Sequence, residues 1–216
     1  MSLSTETTGR SERNPDLTRR RILEAAFQQM YRRGYQGMRL DDVVAATGLT
    51  KGALYHHFPS KQALGYAVVD EVIGATVEEL WLRPLRGAAD PIEAITAALQ
   101  TFWDSLDADV IKLGCPLNNL AQEMSPLDEG FRERLTRLYD AWRQGLREAL
   151  ADGKSRGLVR GDVHEECVAD FIIAAVEGCI GVAKNAQDLE LLSRCGLTLL
   201  DYLQTLRAAP GTVRTH

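Results

Sequence analysis

The sequence predicts an all-α protein, and three observations carry this prediction. Apolar residues recur at three- and four-residue spacing almost throughout the 216 residues, which is the period of an amphipathic helix. Alternating runs rich in Val, Ile and Thr, which would indicate strands, are lacking. Capping residues followed by Pro or an acid mark helix starts at Asn14-Pro15, Asp90-Pro91, Ser125-Pro126 and Asp162-Val163-His164-Glu165. The spacing of these segments predicts about nine or ten helices.

The first three helices form a compact pattern. Helix 1 is expected over residues 15–33 and ends at Gly34, helix 2 over residues 40–47 ends at Gly48, and helix 3 over residues 50–57 ends before Pro59. Their predicted inner faces hold Ile22, Leu23, Ala26, Phe27, Met30, Val43, Val44 and Ala46. Two short helices joined by a three- or four-residue turn with Gly form a helix-turn-helix pattern, and helix 1 completes its core.

Longer helices follow. Ser60 can cap a helix over residues 61–82, and further helices are expected over residues 91–106, 109–124 (broken), 126–155, 164–185 and 188–207. We therefore divide the chain into a flexible arm (1–13), a helix-turn-helix domain (14–62), a larger helical domain (63–207) and a flexible tail (208–216).

Two of the later helices have faces that could pack against a second subunit. An apolar stripe runs along residues 126–155, although such a stripe fits the core of the same chain better than a partner surface. The next helix contains "AAVEGCIGVA" (residues 174–183). Each Gly lowers the stability of a helix interior by roughly 1 kcal/mol, and close packing of another helix would offset this cost. Two such helices per subunit would form a four-helix dimer interface, with candidate residues Trp142, Leu146, Ala175, Gly178 and Val182.

Charge and composition restrict the function. Residues 1–61 carry ten Lys or Arg against six Asp or Glu, a net charge of +4, whereas the remaining residues carry fifteen against twenty-four, a net charge of −9. A basic first third on an acidic body is expected if only that third meets a polyanion. No apolar run of membrane-spanning length and no signal peptide is seen, so we expect a cytoplasmic protein with no membrane partner.

Motifs for common chemistries are missing. The four cysteines are far apart and form no CxxC pair, and P-loop, dinucleotide-binding, HExxH and GxSxG motifs are lacking. We therefore expect no cofactor, no metal and no enzymatic activity.

The segment "GLTKGALYHHFPSK" (residues 48–61) is the strongest candidate for a functional site. On a helix that starts at Thr50, Leu54 and Phe58 face the core, and the first turn points outward. The first turn of such a helix reaches base edges in the major groove, and its N-terminus attracts phosphate. Small residues permit close approach and polar ones bind bases or phosphates, so the candidates are Lys51, Gly52, Ala53, Tyr55, His57 and Lys61.

Other interpretations of this segment are weaker. His56 and His57 diverge by about 100° on a helix and cannot easily share a metal. Catalysis by Lys51 or His57 would need a convergent nucleophile or carboxylate, which the neighbouring sequence does not offer. A solvated polar helix without a partner stays open.

Residues 19–64, "RRRILEAAFQQMYRRGYQGMRLDDVVAATGLTKGALYHHFPSKQAL", closely resemble the DNA-binding domain of the TetR family of transcriptional regulators. The resemblance implies an Ω-shaped all-α homodimer whose two recognition helices enter successive major grooves of a palindromic operator. The six candidates named above match DNA contacts of the family, and the resemblance also adds Thr50 and, at the start of helix 2, Arg39 to the DNA contacts. Here the chain departs from the family, in which Thr is frequent at the position of Arg39 and Arg at that of Asp41. Arg39 thus lacks the hydroxyl cap, and Asp41 should not face phosphate.

The resemblance further implies that residues 63–207 form a ligand-binding and dimerisation domain. In such regulators a small-molecule inducer enters this domain, moves the helix that starts at Lys61 and releases DNA. The pocket candidates by position are Phe102, Trp103, Cys115, Asn118, Asn119, Gln122, Tyr139 and Phe171.

Residues 112–125, "KLGCPLNNLAQEMS", resemble a segment of one TetR subgroup in which some members sense electrophiles or oxidants through a cysteine. Cys115 precedes Pro116 at a possible helix N-terminus, where the helix dipole could lower the pKa of the thiol. It is either a reactive sensor or a small packed residue.

Taken together, the sequence predicts a sequence-specific DNA-binding regulator, a repressor released from its operator by an inducer or by an electrophile at Cys115. The alternative from another class is an all-α enzyme or small-molecule-binding protein whose basic N-terminal domain does not bind DNA specifically. A third possibility is a DNA-binding protein without an inducer, such as an activator.

Overall fold

The computed structural model describes residues 15–105 and 108–209, with the backbone alone for residues 108–110. Apart from an isolated antiparallel bridge between Val159 and Arg207, the regular structure of these residues is helical, so the all-α prediction is confirmed. The predicted arm, the cap at Asn14 and residues 210–216 lie outside the described residues. Ala208, placed in the predicted flexible tail, donates its backbone N–H to the carbonyl of Leu158 at 2.9 Å.

The helix-turn-helix consists of α1 (Pro15–Gly37), α2 (Leu40–Thr47) and α3 (Lys51–His57). Gly34 interrupts α1 with φ 75° and ψ 166°, after which one more turn reaches Gly37. Gly48 ends α2 in the left-handed conformation that the sequence predicts, with φ 64°. The prediction for Ala46 is wrong, because its side chain is exposed and the buried neighbours are Val43 and Thr47.

A helical segment of residues 61–85, here called the connecting segment, joins this domain to the rest. It comprises α4 (Lys61–Ala67), a π-helical turn (Val68–Ile73), α5 (Gly74–Val77), a second π-helical turn (Glu78–Leu82) and a 3₁₀ turn (Arg83–Leu85). Ser60 Oγ accepts a hydrogen bond from the backbone N–H of Ala63 at 3.0 Å, as expected of a cap. The buried face of the connecting segment belongs to the same hydrophobic core as the helices before and after it. This face includes Leu64, Val68, Val69, Ile73, Val77 and Trp81.

The second domain contains α6 (Pro91–Asp104), α7 (Ala108–Leu113), α8 (Pro116–Met124), α9 (Glu129–Ser155), α10 (Glu165–Ala186) and α11 (Leu189–Thr205). The α9 helix packs against α6, α8, α10 and the connecting segment, and α10 also packs against α7 and α11. Among the described residues, no helix is both long and apolar enough to cross a membrane.

One predicted helix start and one further predicted cap are wrong. Ser125 ends α8 rather than beginning α9, and the N-cap of α9 is Asp128, whose Oδ1 accepts from the backbone N–H of Phe131 at 3.0 Å. The α10 helix begins at Glu165, within one residue of its predicted start, but its N-cap is His164 rather than Asp162 and makes no side-chain cap bond. The cap at Asp90 is confirmed, since its Oδ1 accepts from the backbone amides of the first turn of α6.

The apolar stripe of α9 lies in the core of its own chain. Phe131, Leu135, Trp142, Leu146 and Leu150 are all buried. Trp142 stacks on Trp81 of the connecting segment, with ring centroids 4.5 Å apart. The prediction that Trp142 and Leu146 contact a second subunit is therefore wrong, because both side chains are 2% exposed within one chain.

Candidate DNA-binding surface and ligand cavity

The α3 helix is fixed by a cap and by two buried side chains. Thr50 Oγ1 accepts a hydrogen bond from the backbone N–H of Ala53 at 3.2 Å and closes the first turn. Leu54 and Phe58 are buried, as their four-residue spacing predicts. Packing of one face thus decides which residues α3 presents to solvent.

The outer face of α3 brings most of the predicted DNA contacts together. Lys51, Gly52 and Tyr55 are exposed, Tyr55 by 49%, while Ala53 and His57 are half-buried. A Cβ atom added at Gly52 would meet open space apart from one hydroxyl oxygen 3.9 Å away. The first turn of α3 therefore offers an accessible backbone beside a basic and an aromatic side chain, which is what close approach to a DNA groove requires.

Lys51 already has a partner inside the helix-turn-helix. Its Nζ lies 2.6 Å from Oδ1 of Asp41, and both side chains are 66% exposed. The hydrogen bond, followed by the charge attraction, raises the pKa of Lys51 and lowers that of Asp41. Arg39 begins α2 without a side-chain cap bond, as the missing hydroxyl predicts. An ion pair this exposed is weakly held, so a phosphate oxygen could replace the carboxylate.

Lys61 is more restricted than the sequence suggests. Its Nζ donates to the backbone carbonyl of Gln36 at 3.0 Å and lies 4.9 Å from the centre of the Tyr35 ring. Burial lowers its pKa. Because an ammonium has three N–H donors, these contacts leave donors for phosphate while holding the start of α4 against the end of α1.

Arg19 and Arg21 position the helix-turn-helix, a role that the run Arg19-Arg20-Arg21 does not indicate. The guanidinium of Arg19 lies 4.9 Å from the centre of the Phe58 ring and pairs with Glu71 of the connecting segment. Arg21 donates to the carbonyl of Thr47 at 2.7 Å. Both contacts are non-local in sequence, and they tie α2 and α3 to α1.

An apolar cavity of about 250 Å³ lies between the two domains. Its walls come from α1, the connecting segment, α6, α9, α10 and the start of α8, and five rings line it: Phe27, Tyr31, Trp81, Phe102 and Trp142. The Tyr31 hydroxyl donates to the carbonyl of Gly114 at 2.6 Å. Of the predicted pocket residues, Phe102 and Cys115 line this cavity.

Glu177 is the acidic residue of the cavity wall. It is 8% exposed, its Oε1 accepts from the Cys115 thiol at 3.3 Å, and its buried Oε2 has no hydrogen-bond partner. Burial raises the pKa of Glu177 to about 7, partly offset by the thiol hydrogen bond. Burial and the nearby Glu177 also raise the pKa of Tyr139, which is close to the carboxylate without lining the cavity. Glu177 is not among the site residues predicted from the sequence, although a lone acid in "AAVEGCIGVA" is a usable signal.

The structure reverses the expected behaviour of Cys115. The residue is the N-cap of α8 before Pro116, as predicted. Burial, followed by the nearby Glu177 charge, nevertheless raises the pKa of the thiol, and the amides of the first turn of α8 offset this only in part. The prediction of a lowered thiol pKa is therefore wrong, because loss of solvent and a neighbouring acid outweigh the helix N-terminus.

Two other pocket candidates lie elsewhere. Trp103 packs between α6 and α11, where a Cβ atom at Gly196 would come 1.9 Å from its ring. Phe171 is 49% exposed on α10, with its ring 4.8 Å from that of Tyr202. Neither residue lines the cavity with Glu177.

The polar candidates Asn118, Asn119 and Gln122 line an outer groove along α8. Asn119 Nδ2 donates to the carbonyl of Leu113 at 2.6 Å, and its Oδ1 accepts from Lys184 Nζ at 2.9 Å. Gln122 donates to Asn118 at 3.2 Å. Asn119 thus ties α8 to α7 and α10, whereas the bond between Gln122 and Asn118 lies within α8, and none of the three residues lines the apolar cavity.

The small-residue face of α10 is open. A Cβ atom at Gly178 would meet nothing within 4 Å, Val182 is 51% exposed, and Ala175 is half-buried. The adjacent α11 exposes Leu189 by 53% and Leu197 by 63%. Three of the five predicted interface residues, Ala175, Gly178 and Val182, therefore lie on one accessible surface. The helix that extends this surface is α11, whereas the sequence predicted α9.

The metal-site interpretation gains no support from residues 15–105 and 108–209, where no cluster of three His, Cys, Asp or Glu side chains could hold an ion. The rings of His56 and His57 face each other edge-on with centroids 5.4 Å apart. A helix-turn-helix with an exposed recognition-type helix, joined to a helical domain, is the architecture of a DNA-binding regulator.

Comparisons with known proteins give the family. Residues 22–68 match the family described as bacterial regulatory proteins, tetR family, and residues 91–196 match the tetracyclin repressor-like C-terminal domain. The HTH-type transcriptional repressor DhaR of Mycobacterium sp. (strain GP1) is 31% identical over 182 residues, covering 80% of this chain and 86% of DhaR. The HTH-type transcriptional regulator TtgR of Pseudomonas putida is 27% identical over 173 residues, covering 79% of this chain and 82% of TtgR.

A solved structure agrees. The crystal structure of a TetR transcriptional regulator from Chloroflexus aurantiacus superimposes with a TM-score of 0.81 at 32% identity, covering 91% of this chain and all of that one. The chain belongs to the TetR family. It is a DNA-binding transcriptional regulator of the repressor type, and the family is one of regulators rather than enzymes.

Proposed function

We propose that the protein acts as a homodimer that represses by binding a palindromic operator and leaves it when a small molecule enters the cavity next to Glu177. The observation that carries this proposal is the shared wall: α1 and the connecting segment, which hold the helix-turn-helix, also line the cavity. We also propose a cytoplasmic location, as expected from the sequence, because the proposed partner is operator DNA.

The DNA-facing surface is the outer side of α3. Lys51 exchanges its Asp41 partner for a base or phosphate, and Gly52 and Ala53 let the backbone approach the groove. Tyr55 donates its hydroxyl to a phosphate oxygen. The remaining contacts to the backbone of DNA come from Arg39, Thr50, His57 and Lys61.

The dimer forms through α10 and α11, which provide four helices in the pair. Gly178 and Gly181 leave open space for a partner helix, and Val182, Leu189 and Leu197 are apolar side chains that a partner would cover. A twofold axis would relate the two copies of this face and would present the two α3 helices to successive turns of DNA.

Release of DNA follows from differential binding. Phe27 and Tyr31 of α1 and Ile73 and Trp81 of the connecting segment line the cavity, so a ligand larger than the empty space pushes these helices apart. Since α4 starts at Lys61, such a movement reorients α3. The coupling is reciprocal, so operator DNA must weaken ligand binding by the same factor.

The test starts from DNA selection. Duplexes bound by the purified protein are enriched from a random pool, and affinity is measured by fluorescence anisotropy at increasing salt. We expect a palindromic consensus and a linear fall of log affinity with log salt. Tyr55→Ala should weaken binding, and Tyr55→Phe, the matched variant, should show how much of the loss belongs to the hydroxyl.

Failure to enrich a palindrome, together with salt-insensitive binding, would support the alternative of a small-molecule-binding protein whose basic domain does not bind DNA specifically. A palindrome that no small molecule releases would instead indicate a regulator without an inducer.

A further inference from the structure

The cavity selects a compact, lipophilic ligand. Its volume of about 250 Å³ is at the small end of ligand sites, and most of its lining is aliphatic or aromatic. The lining residues that carry a hydroxyl group are Tyr31, Thr76 and Ser105, and the Tyr31 hydroxyl already donates to the carbonyl of Gly114. A ligand that fills this space gains most of its affinity from contact with rings and aliphatic side chains.

Glu177 adds a specific polar requirement. Its Oε2 atom is buried without a hydrogen-bond partner, and its Oε1 receives only the weak donor of the Cys115 thiol. A buried acceptor without a donor costs free energy in the empty protein, so a ligand that supplies a strong donor recovers it. Because Glu177 is part of the cavity wall, a ligand in the cavity is the nearest outside source of that donor, and a small shift of the side chain brings Oε2 to it.

The sign of the ligand charge follows from the surrounding groups. Among the described residues that line the cavity there is no Lys, Arg or His to neutralise an anion. Lys184 of the same helix has its Nζ on Asn119 in the outer groove. Conversely, a cation compensates the charge of an ionised Glu177, and an aromatic lining accommodates a cationic group better than an anionic one.

We propose that the cavity binds a compact lipophilic amine whose protonated nitrogen donates to Oε2 of Glu177 while its apolar body contacts the aromatic rings. The inference rests on the proposed function only in that this amine would be the inducer; the binding itself requires no DNA.

The experiment compares three probes of one shape and different charge: 2-phenylethylamine, 2-phenylethanol and phenylacetate. Their affinities for the full-length protein are measured by calorimetry at a pH above the pKa of Glu177 and below that of the amine. The variants are Glu177→Gln, which keeps shape and removes charge, and Glu166→Gln, the matched control at an exposed position of α10.

We expect the amine to bind the wild type about tenfold or more tightly than the alcohol, with the carboxylate weakest, as for a hydrogen bond to a charged group. Glu177→Gln should lower the amine affinity by about tenfold or more and leave the alcohol within about twofold, while Glu166→Gln changes neither. Equal binding of all three probes, binding of the carboxylate in preference, or no measurable binding of any probe would overturn the inference.

Circular dichroism of Glu177→Gln verifies its fold, and the order of the three probes on the wild type tests the inference without any variant. Operator selection on the same preparation separates the two proposals. Amine preference without a palindromic operator leaves the ligand inference standing and refutes the proposed function, and an operator without amine preference does the reverse.

Discussion

Replacement of Glu177 by Gln should stabilise the protein, and the gain should depend on pH. Burial raises the pKa of Glu177 to about 7 from 4.5, so the folded state binds a proton that the unfolded chain has already released over that interval. Below pH 4.5 both states are protonated and no stability is lost. As pH rises from 4.5 to 7 the free energy of unfolding falls, because the charged form is disfavoured in the folded protein.

The magnitude follows from the same interval. Each pKa unit corresponds to about 1.4 kcal/mol. The free energy of unfolding of the wild type should therefore be about 3 kcal/mol lower above pH 7 than below pH 4.5. Gln keeps the shape of the side chain and cannot ionise. The variant and the wild type should therefore have similar stability near pH 4.5 and differ by up to about 3 kcal/mol at pH 8, with the variant more stable.

Urea unfolding followed by far-ultraviolet circular dichroism measures this difference at several pH values. Protein concentration must be held constant, since association shifts the apparent stability. Glu166→Gln is the control, because it makes the same change at an exposed position of the same helix. An effect of Glu177→Gln that is independent of pH, or a variant less stable than the wild type at pH 8, would refute the conclusion that burial disfavours the charged form of Glu177.

The remaining predictions concern the surface and the thiol. Lys51→Ala should weaken operator binding and reduce the slope of log affinity against log salt by about 1, as for loss of one phosphate contact, and unchanged anisotropy titrations would contradict this. Asp41→Asn should strengthen binding at low salt, with the gain fading as salt is added; an equal gain at high salt would contradict a charge effect. Gly178→Glu should give monomers by light scattering, whereas Gly161→Glu, also placed in open space, should leave the dimer intact. Cys115 should react with iodoacetamide more slowly in the folded than in the unfolded protein by peptide mass spectrometry, because burial and Glu177 raise its pKa; faster reaction in the folded state would restore the sensor hypothesis.

Local signals predicted the helix-turn-helix well. Gly48 at the end of α2 and the Leu54–Phe58 pair each act within a few residues, so the sequence contains the information that places them. Thr50, expected as the first residue of helix 3, is the N-cap of α3. The same kind of signal failed at Ser125, because it and Asp128 are both capping residues three positions apart. Tertiary bonds favour Asp128, whose carboxylate also accepts from the side chains of residues 62 and 66.

Features that depend on contacts between distant segments could not be predicted from the sequence. The stripe through Trp142 and Leu146 has the same pattern whether its partner is in the same chain or in another, and only the fold shows that α6, α8 and the connecting segment cover it. The π-helical turns of the connecting segment lack a marker of the Gly or Pro type. The sequence marks Glu177 as a lone acid among small apolar residues, but only the fold shows that it shares a cavity with the rings of Trp81 and Phe102.

The geometry of α8 gives the proposed coupling a second physical route beside the connecting segment. The helix starts at Cys115, whose thiol donates to Glu177, and near its other end Glu123 accepts from the backbone amides of Tyr35 and Gln36 at 2.9 and 2.8 Å. The carbonyl of Gln36 in turn holds the Lys61 ammonium at the start of α4. A ligand that binds Oε2 of Glu177 and shifts this carboxylate would therefore act, through the thiol bond at Oε1, on a helix whose far end is bonded to the junction of α1 and α4. Because packed helices move as rigid units, a small displacement at the cavity is passed to this junction rather than absorbed along the way.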